Sequence, residues 1–249
     1  MKATLYQLGK ILWPSGIQWH NLRREAFQIR KLIDEGVEPG TLYDFLMQTA
    51  YFRTSQKRAE ILCLLNLLKE CRPQTICEVG SYRGGTLALL SLVAHDSATI
   101  VSVDVNYPWF RRSAHRKLCK TAQRVVCLQA DSHNPVTVKT VSTHFRGQAL
   151  DFLLIDGDHS YDGVKSDFEL FRPLMSPNGI IAFHDIALDY KQRNGVPTSA
   201  DVGEVPRYWA ELSSTLTNTQ EFVENPEQDG FGIGVVKLRY AVESDRDKQ

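Results

Sequence analysis

"CEVGSYRGGT" (residues 77–86) carries the end of an apolar, β-branched run into a helix through a turn rich in glycine. Gly80 closes the run, and Gly84 and Gly85 stand where the helix begins. Glycines in such a turn let the backbone bend sharply and let a ligand approach the main chain. Free N–H groups at the helix start favour a carboxylate or a phosphate. The spacing is G-x-x-x-G-G, so the dinucleotide fingerprint G-x-G-x-x-G is absent. Glu78, two residues before the turn, would repel a pyrophosphate but suits a ligand with a positive amino group.

Outward from this turn the chain alternates. Apolar runs recur at 75–80, "TIVSVD" (99–104), "RVVCLQ" (124–129), "LDFLLID" (150–156) and "GIIAFHD" (179–185), with room for a helix between successive runs. That pattern predicts a doubly wound α/β fold, a mostly parallel sheet covered on both faces. Near the end, "TQEFVE" (219–224) and "FGIGVVKL" (231–238) are separated only by "NPEQDG", which leaves no space for a helix. They predict a hairpin, so one strand runs antiparallel. Upstream, "NLRREAFQIRKLIDEG" (21–36) places Leu22, Ala26, Ile29 and Ile33 near helical spacing, and "PGTLYDFLMQTAYF" (39–52) reads as a second short helix. Residues 1–53 are therefore read as an N-terminal helical cap, 54–240 as the α/β domain and 241–249 as a disordered tail. "TSQKRAEILCLLNLLKEC" (54–71) is a stronger helix, with Ile61, Leu64, Leu65 and Leu68 on one face.

Composition excludes several classes. Lys plus Arg and Asp plus Glu both number 29, so the formal net charge is zero, and no long basic stripe points to nucleic acid. The cluster Arg111, Arg112, Arg116 and Lys117 reads as a solvated helix face. The five cysteines include no C-x-x-C pair and read as buried free thiols in a reducing compartment. No stretch approaches the roughly 18 apolar residues of a membrane span, and no cleavable leader is evident. The expectation is a soluble, cytoplasmic protein without a membrane partner; a peripheral role for Ile11, Leu12 and Trp13 is the weaker alternative.

Acidic residues gather at the expected carboxyl ends of the strands. Asp104 ends the second run, about 20 residues past the glycine turn, where a carboxylate can accept from ribose hydroxyls. Asp131 and Ser132 follow the third and could meet an adenine amino group, although Asp131 could equally be the N-cap of the next helix. In "LLIDGDHSYDG" (153–163) an oily strand runs into Asp156, then Asp158 and His159; the fifth run ends at His184 and Asp185. Residues 186–206 show little periodicity and leave the fifth strand directly, which predicts a mobile lid that takes part in substrate selection.

In these segments the chain resembles the class I S-adenosylmethionine-dependent methyltransferases. Within them it is similar to the metal-dependent small-molecule O-methyltransferases, which include enzymes acting on sugars and macrolide sugars. The resemblance covers roughly residues 54–238 and is carried by "EVGSYRGGT", "VSVD", "ADS", residues 153–185 and the closing hairpin. It implies strand order 3-2-1-4-5-7-6 with the last strand antiparallel. It implies S-adenosylmethionine lying along Glu78 and the turn Gly80, Ser81, Gly84, Gly85 and Thr86, then Asp104, Asp131 and Ser132, with Asp156 also at the cofactor. In that topology Asp156 and Asp185 end neighbouring strands, where a divalent ion (magnesium or manganese) would relieve their repulsion and acidify a substrate hydroxyl. His159 would be the base.

His184 is either a third ligand, softening the site toward manganese, or points away. Asp158 is read as a turn-former or as a group in direct contact with the site. A metal-free polar network at the strand ends stays open. The function expected is methylation of a hydroxyl on a small polar acceptor, a sugar or natural product. Another enzyme on the same fold, such as a hydroxylase-labelled relative, and a non-catalytic cofactor-binding protein are the alternatives. Self-association through the N-terminal cap is left open.

Overall fold

The computed structural model describes residues 16–238; Ile11, Leu12, Trp13 and the segment from residue 241 lie outside it. β1 (Thr75–Val79) is buried at every position, as a strand covered on both faces must be. β2 (Thr99–Asp104), β3 (Arg124–Gln129), β4 (Leu150–Ile155) and β5 (Met175–His184) run parallel to it. β6 (Thr219–Phe222) and β7 (Ile233–Lys237) form the hairpin, and β7 is antiparallel to both β5 and β6. The sheet order is β3-β2-β1-β4-β5-β7-β6, as the resemblance implied. β5 begins earlier than its apolar run, because "MSPN" pairs irregularly with β4 before the register settles at Phe152↔Ile180.

Side-chain alternation splits the core in two. Ile76, Ile100, Phe152 and Ala182 face the layer built from α1 (Gly16–Glu35), α2 (Pro39–Gln48), α3 (Arg58–Cys71), α4 (Gly85–Val93) and α5 (Trp109–His115). Cys77, Val101, Leu153 and Phe183 face α6 (Pro135–His144), α7 (Tyr161–Phe171) and α9 (Val205–Thr215). All nine residues of α4 are buried. α1, α2 and α3 cover its outer side, which explains why "GTLALLSLV" has no polar stripe. The four α1 positions read from the sequence, Leu22, Ala26, Ile29 and Ile33, are at most 5% exposed.

Residues 186–206 are not wholly irregular: they contain α8 (Tyr190–Asn194), N-capped by Asp189. Of the five thiols, Cys77, Cys119 and Cys127 are buried, whereas Cys63 and Cys71 are exposed; all are free. Trp209 is core, 3% exposed, with its indole N–H on Glu221.

Candidate functional site

The register brings the strand ends flush. Val79 pairs with Val103 and Ile155, and Ile155 with Phe183. The next residues, Gly80, Asp104, Asp156 and His184, therefore line one edge. Gly80 turns there with φ +85°, and a Cβ on it would lie 1.9 Å from the Asp156 carbonyl oxygen. Only glycine lets the turn approach β4 this closely.

Asp104 organises that turn. One carboxylate oxygen accepts from the backbone N–H groups of Ser81 (3.0 Å) and Tyr82 (2.9 Å), the other from Asn106 N–H (2.7 Å). Glu78 is fully buried and accepts from the Ser102 hydroxyl at 2.9 Å. Burial pushes its pKa up to about 8, partly offset by that hydroxyl. Beneath the turn, the His115 ring packs under Gly84 and shares a 2.7 Å hydrogen bond with Tyr107. Burial lowers the His115 pKa to about 3, so the ring is neutral.

Asp131 is exposed and accepts from His133 N–H. The N-cap of α6 is Asn134, not Asp131. Ser132 is buried beside it. Asp158 is a turn-former, accepting from Ser160 N–H, and Ser160 caps α7.

At the other end of the edge four groups converge. Asp156 follows Ile155, and Ile155 pairs with Phe183, so His184 sits beside Asp156. His184 Nδ1 is 3.1 Å from Asp156 Oδ1 and 3.2 Å from Asp185 Oδ2. His159 Nε2 is 3.7 and 3.6 Å from the same two oxygens. Asp185 reaches them through a left-handed backbone, φ +63°, a conformation that Asp and Asn tolerate better than most residues. One ligand atom each from Asp156, His184 and Asp185 lie within 4.8 Å of one another. Two carboxylates at that separation repel by roughly 3–4 kcal/mol at an effective dielectric of about 20, so a positive charge must stand between them.

Burial opposes charge on His184, but Asp156 and Asp185 outweigh it and raise its pKa well above the usual imidazole value. His159 is raised to about 9: burial works against the charge, while Asp156, Asp185 and the Asp201 carbonyl favour it. Burial likewise opposes ionisation of Asp156, yet the two imidazoles hold it well below the carboxylate range.

Residues 186–206 pack against this cluster at His159. His159 Nδ1 pairs with the Asp201 carbonyl, and Glu204 N–H donates to the His159 carbonyl at 2.7 Å. The far side of the segment is tied to the loop between β6 and β7: Asp229 accepts from Thr198 Oγ1 (2.6 Å) and Tyr190 N–H (2.7 Å). That loop is held in turn by Glu60 on α3, a buried carboxylate accepting from Glu224 N–H, Gln228 Nε2 and Gly232 N–H. Between them opens a pocket of about 500 Å³ lined by Lys57, Tyr190, Gln228 and Phe231 among others. The Phe231 ring also meets His184, centroids 6.1 Å apart.

The sequence pointed to the strand-end residues but not to Gln56, His133 or Asp167. Gln56, just before α3, donates to Asp156 Oδ2 at 3.0 Å. Asp167 on α7 is fully buried with its pKa raised to about 6 by burial, and His133 Nε2 stands 3.6 Å from it. Among the described residues, the buried side-chain polar atoms without a hydrogen-bond partner belong to Gln56, Glu78, His133, Asp167 and His184. All five flank this one edge of the sheet. Buried polar groups left unpaired are costly, so their concentration here marks the edge as built for a ligand. Nothing in the local sequence pattern of Gln56 or Asp167 sets them apart.

A seven-stranded sheet of this order, with its glycine turn and acidic strand ends aligned, is the class I methyltransferase fold. Residues 77–186 match the family model described as a methyltransferase domain; that stretch runs from β1 to just past Asp185. The fold is shared with the O-methyltransferase from Bacillus cereus in complex with SAH, at 17% identity and a TM-score of 0.53, over 91% of this chain and 94% of that one. It is also shared with the MycE methyltransferase of the mycinamycin biosynthetic pathway, in complex with Mg, SAH and mycinamycin VI. That match has 16% identity and a TM-score of 0.55, covering 87% of this chain and 58% of MycE. An uncharacterized protein, y4gI of Sinorhizobium fredii, is 33% identical over 85 residues, 34% of this chain but only 8% of its own length. The chain thus has the fold of the class I methyltransferases, and its residues 77–186 resemble a methyltransferase domain. No helix among the described residues is long and apolar enough to cross a membrane.

Proposed function

We propose that the protein transfers the methyl group of S-adenosylmethionine to a hydroxyl oxygen of a small polar acceptor, a sugar or sugar-bearing natural product, with the help of a divalent ion. The observation that carries the reading is the convergence of Asp156, Asp185, His184 and His159 beside the glycine turn.

The cofactor would lie along the flush strand ends, its methionine part at Glu78 and the turn Gly80, Ser81, Gly84, Gly85 and Thr86, its ribose at Asp104, its adenine at Asp131 and Ser132. Asp156 would stand where cofactor and acceptor meet. The donor set fits a divalent ion: two carboxylate oxygens and an imidazole nitrogen within 4.8 Å of one another. Asp156, Asp185 and His184 would hold it, and the imidazole suits manganese as well as magnesium. When bound, such an ion supplies a Lewis acid that lowers the pKa of a nearby hydroxyl.

The chain's own residues supply the rest. Pairing of His159 Nδ1 with the Asp201 carbonyl fixes the tautomer, leaving Nε2 as the basic nitrogen on the side of the carboxylates. His159 takes the acceptor's proton at that atom. With the cofactor bound, the oxygen would attack the sulfonium methyl, forming the C–O bond as the C–S bond breaks and leaving S-adenosylhomocysteine. The pocket at Lys57, Tyr190 and Phe231 would hold the body of the acceptor, and residues 186–206 would exclude water. Two reactants held in this way need no further entropy loss to meet.

One observation favours a second reading without metal. His184 Nδ1 already stands between both carboxylates, and an imidazolium there neutralises them. In that reading Asp156 and Asp185 also keep His159 protonated at neutral pH, and the site is left without a base. We favour the ion for that reason. The test is methyl transfer from labelled S-adenosylmethionine to a panel of hydroxylated acceptors with manganese, magnesium or excess chelator. Transfer that is lost in chelator and restored by an ion supports the reading. Undiminished transfer in chelator removes the metal.

A further inference from the structure

We propose that Gln56 binds the amino-acid end of the cofactor, its side-chain oxygen receiving the ammonium group, so that a residue from outside the sheet completes the binding site. The assignment rests on the S-adenosyl reading above.

The Gln56 side chain is buried, 3% exposed. Its Nε2 donates to Asp156 Oδ2 at 3.0 Å. A carboxylate only accepts, so the amide can be oriented one way: NH₂ toward Asp156, oxygen away from it. That oxygen is buried and has no hydrogen-bond partner in the protein. The backbone around it is pinned: Tyr43 OH donates to the Gln56 carbonyl at 2.9 Å, and Gln56 N–H to Thr54 Oγ1 at 3.2 Å. Thr54 Oγ1 lies 3.0 Å from Thr86 Oγ1 in the first turn of α4. The Phe52 carbonyl and Thr54 nitrogen press so closely on Gly85 that a Cβ there would come within 2.6 Å of each. Gln56 is thus held rigidly between the glycine turn and the end of β4.

An unpaired acceptor in a fixed place calls for a donor from outside the protein. The neighbouring acceptors narrow its chemistry. Glu78 also has a buried, unpaired carboxyl oxygen, and Asp156, already in contact with Gln56, offers a carboxylate. A primary ammonium has three N–H donors and a positive charge, which matches acceptors of this kind. The two Asp156 oxygens then divide their work: Oδ2 is held by Gln56, and Oδ1 joins His184 and His159. Filling the ammonium site also fixes the carboxylate that faces the acceptor.

The experiment is calorimetry on wild-type protein and Gln56→Met with two ligands, S-adenosylhomocysteine and its analogue lacking the α-amino group. Wild type is expected to prefer the amine by roughly 10- to 100-fold, as hydrogen bonds to charged groups imply. Gln56→Met is expected to lose about tenfold of that preference. A preference unchanged within twofold overturns the assignment. Wild type that binds neither ligand overturns the cofactor reading and the assignment with it. Should Gln56→Met fail to fold, a crystal structure of the wild-type complex decides: the ligand nitrogen within about 3.2 Å of Gln56 Oε1 supports the proposal, and a nitrogen bound elsewhere ends it.

Discussion

Replacing Gly80 with alanine tests whether the closeness of the glycine turn to β4 is what builds the site. A Cβ at Gly80 would lie 1.9 Å from the Asp156 carbonyl oxygen and 2.6 Å from its carbon. Side-chain carbons do not approach backbone oxygen closer than about 3 Å, so the two chains must separate by about 1 Å. Two hydrogen bonds oppose that separation, Asp156 N–H to the Val79 carbonyl and Gly80 N–H to the Val103 carbonyl, both 2.9 Å. Stretching either by about 1 Å breaks it, at a net cost of about 1 kcal/mol. Holding alanine at φ +85° costs about 1–2 kcal/mol more, and overpacking typically adds 1–3. The expected destabilisation is about 3–6 kcal/mol, read as a lowered urea midpoint with the slope unchanged. The same displacement moves Asp156, and a misplacement of about 1 Å can cost roughly 100-fold in turnover. Calorimetry should find S-adenosylhomocysteine bound at least tenfold more weakly. A variant with a wild-type midpoint and wild-type affinity would refute the argument, because the turn could then stand further from β4 without consequence.

Asp185→Asn keeps a side chain that tolerates φ +63° but removes the charge; it should fold normally and lose at least tenfold in manganese affinity by calorimetry. Asp185→Ala should lose the ion similarly and in addition be destabilised by about 1 kcal/mol; unchanged manganese binding in the asparagine variant counts against the ligand role. Glu78 gives a pH signature. Its folded pKa of about 8 lies above the ordinary glutamate value of 4.5, so the folded state binds the extra proton between those values and Glu78 lowers stability as pH rises through that window. Glu78→Gln should flatten the stability profile of the ligand-free protein between pH 5 and 8, and most increase stability at the upper end. A profile parallel to wild type would show that Glu78 ionises freely.

The chain's linear pattern determined the sheet. Continuous apolar runs such as "TICEV" have one low-energy placement, at the centre of a parallel sheet covered on both sides, and the short "NPEQDG" loop forces an antiparallel return. It also indicated the acidic strand ends, because a carboxylate following an oily run must emerge at the edge. The helical face of α1 was legible for the same reason: spacing along a helix is a local property. What only the tertiary structure decided is which of these groups meet. The pairing of Ile155 with Phe183 puts His184 between Asp156 and Asp185, and a slip of one residue would have turned it away. Gln56 is 100 residues from Asp156, and Asp167 is 34 from His133. Neither pair has a periodicity or a motif to announce it, since their contacts arise from how separate elements pack. Sequence spacing governs what neighbours along the chain can do, while a ligand site is made by groups whose nearness exists only after folding.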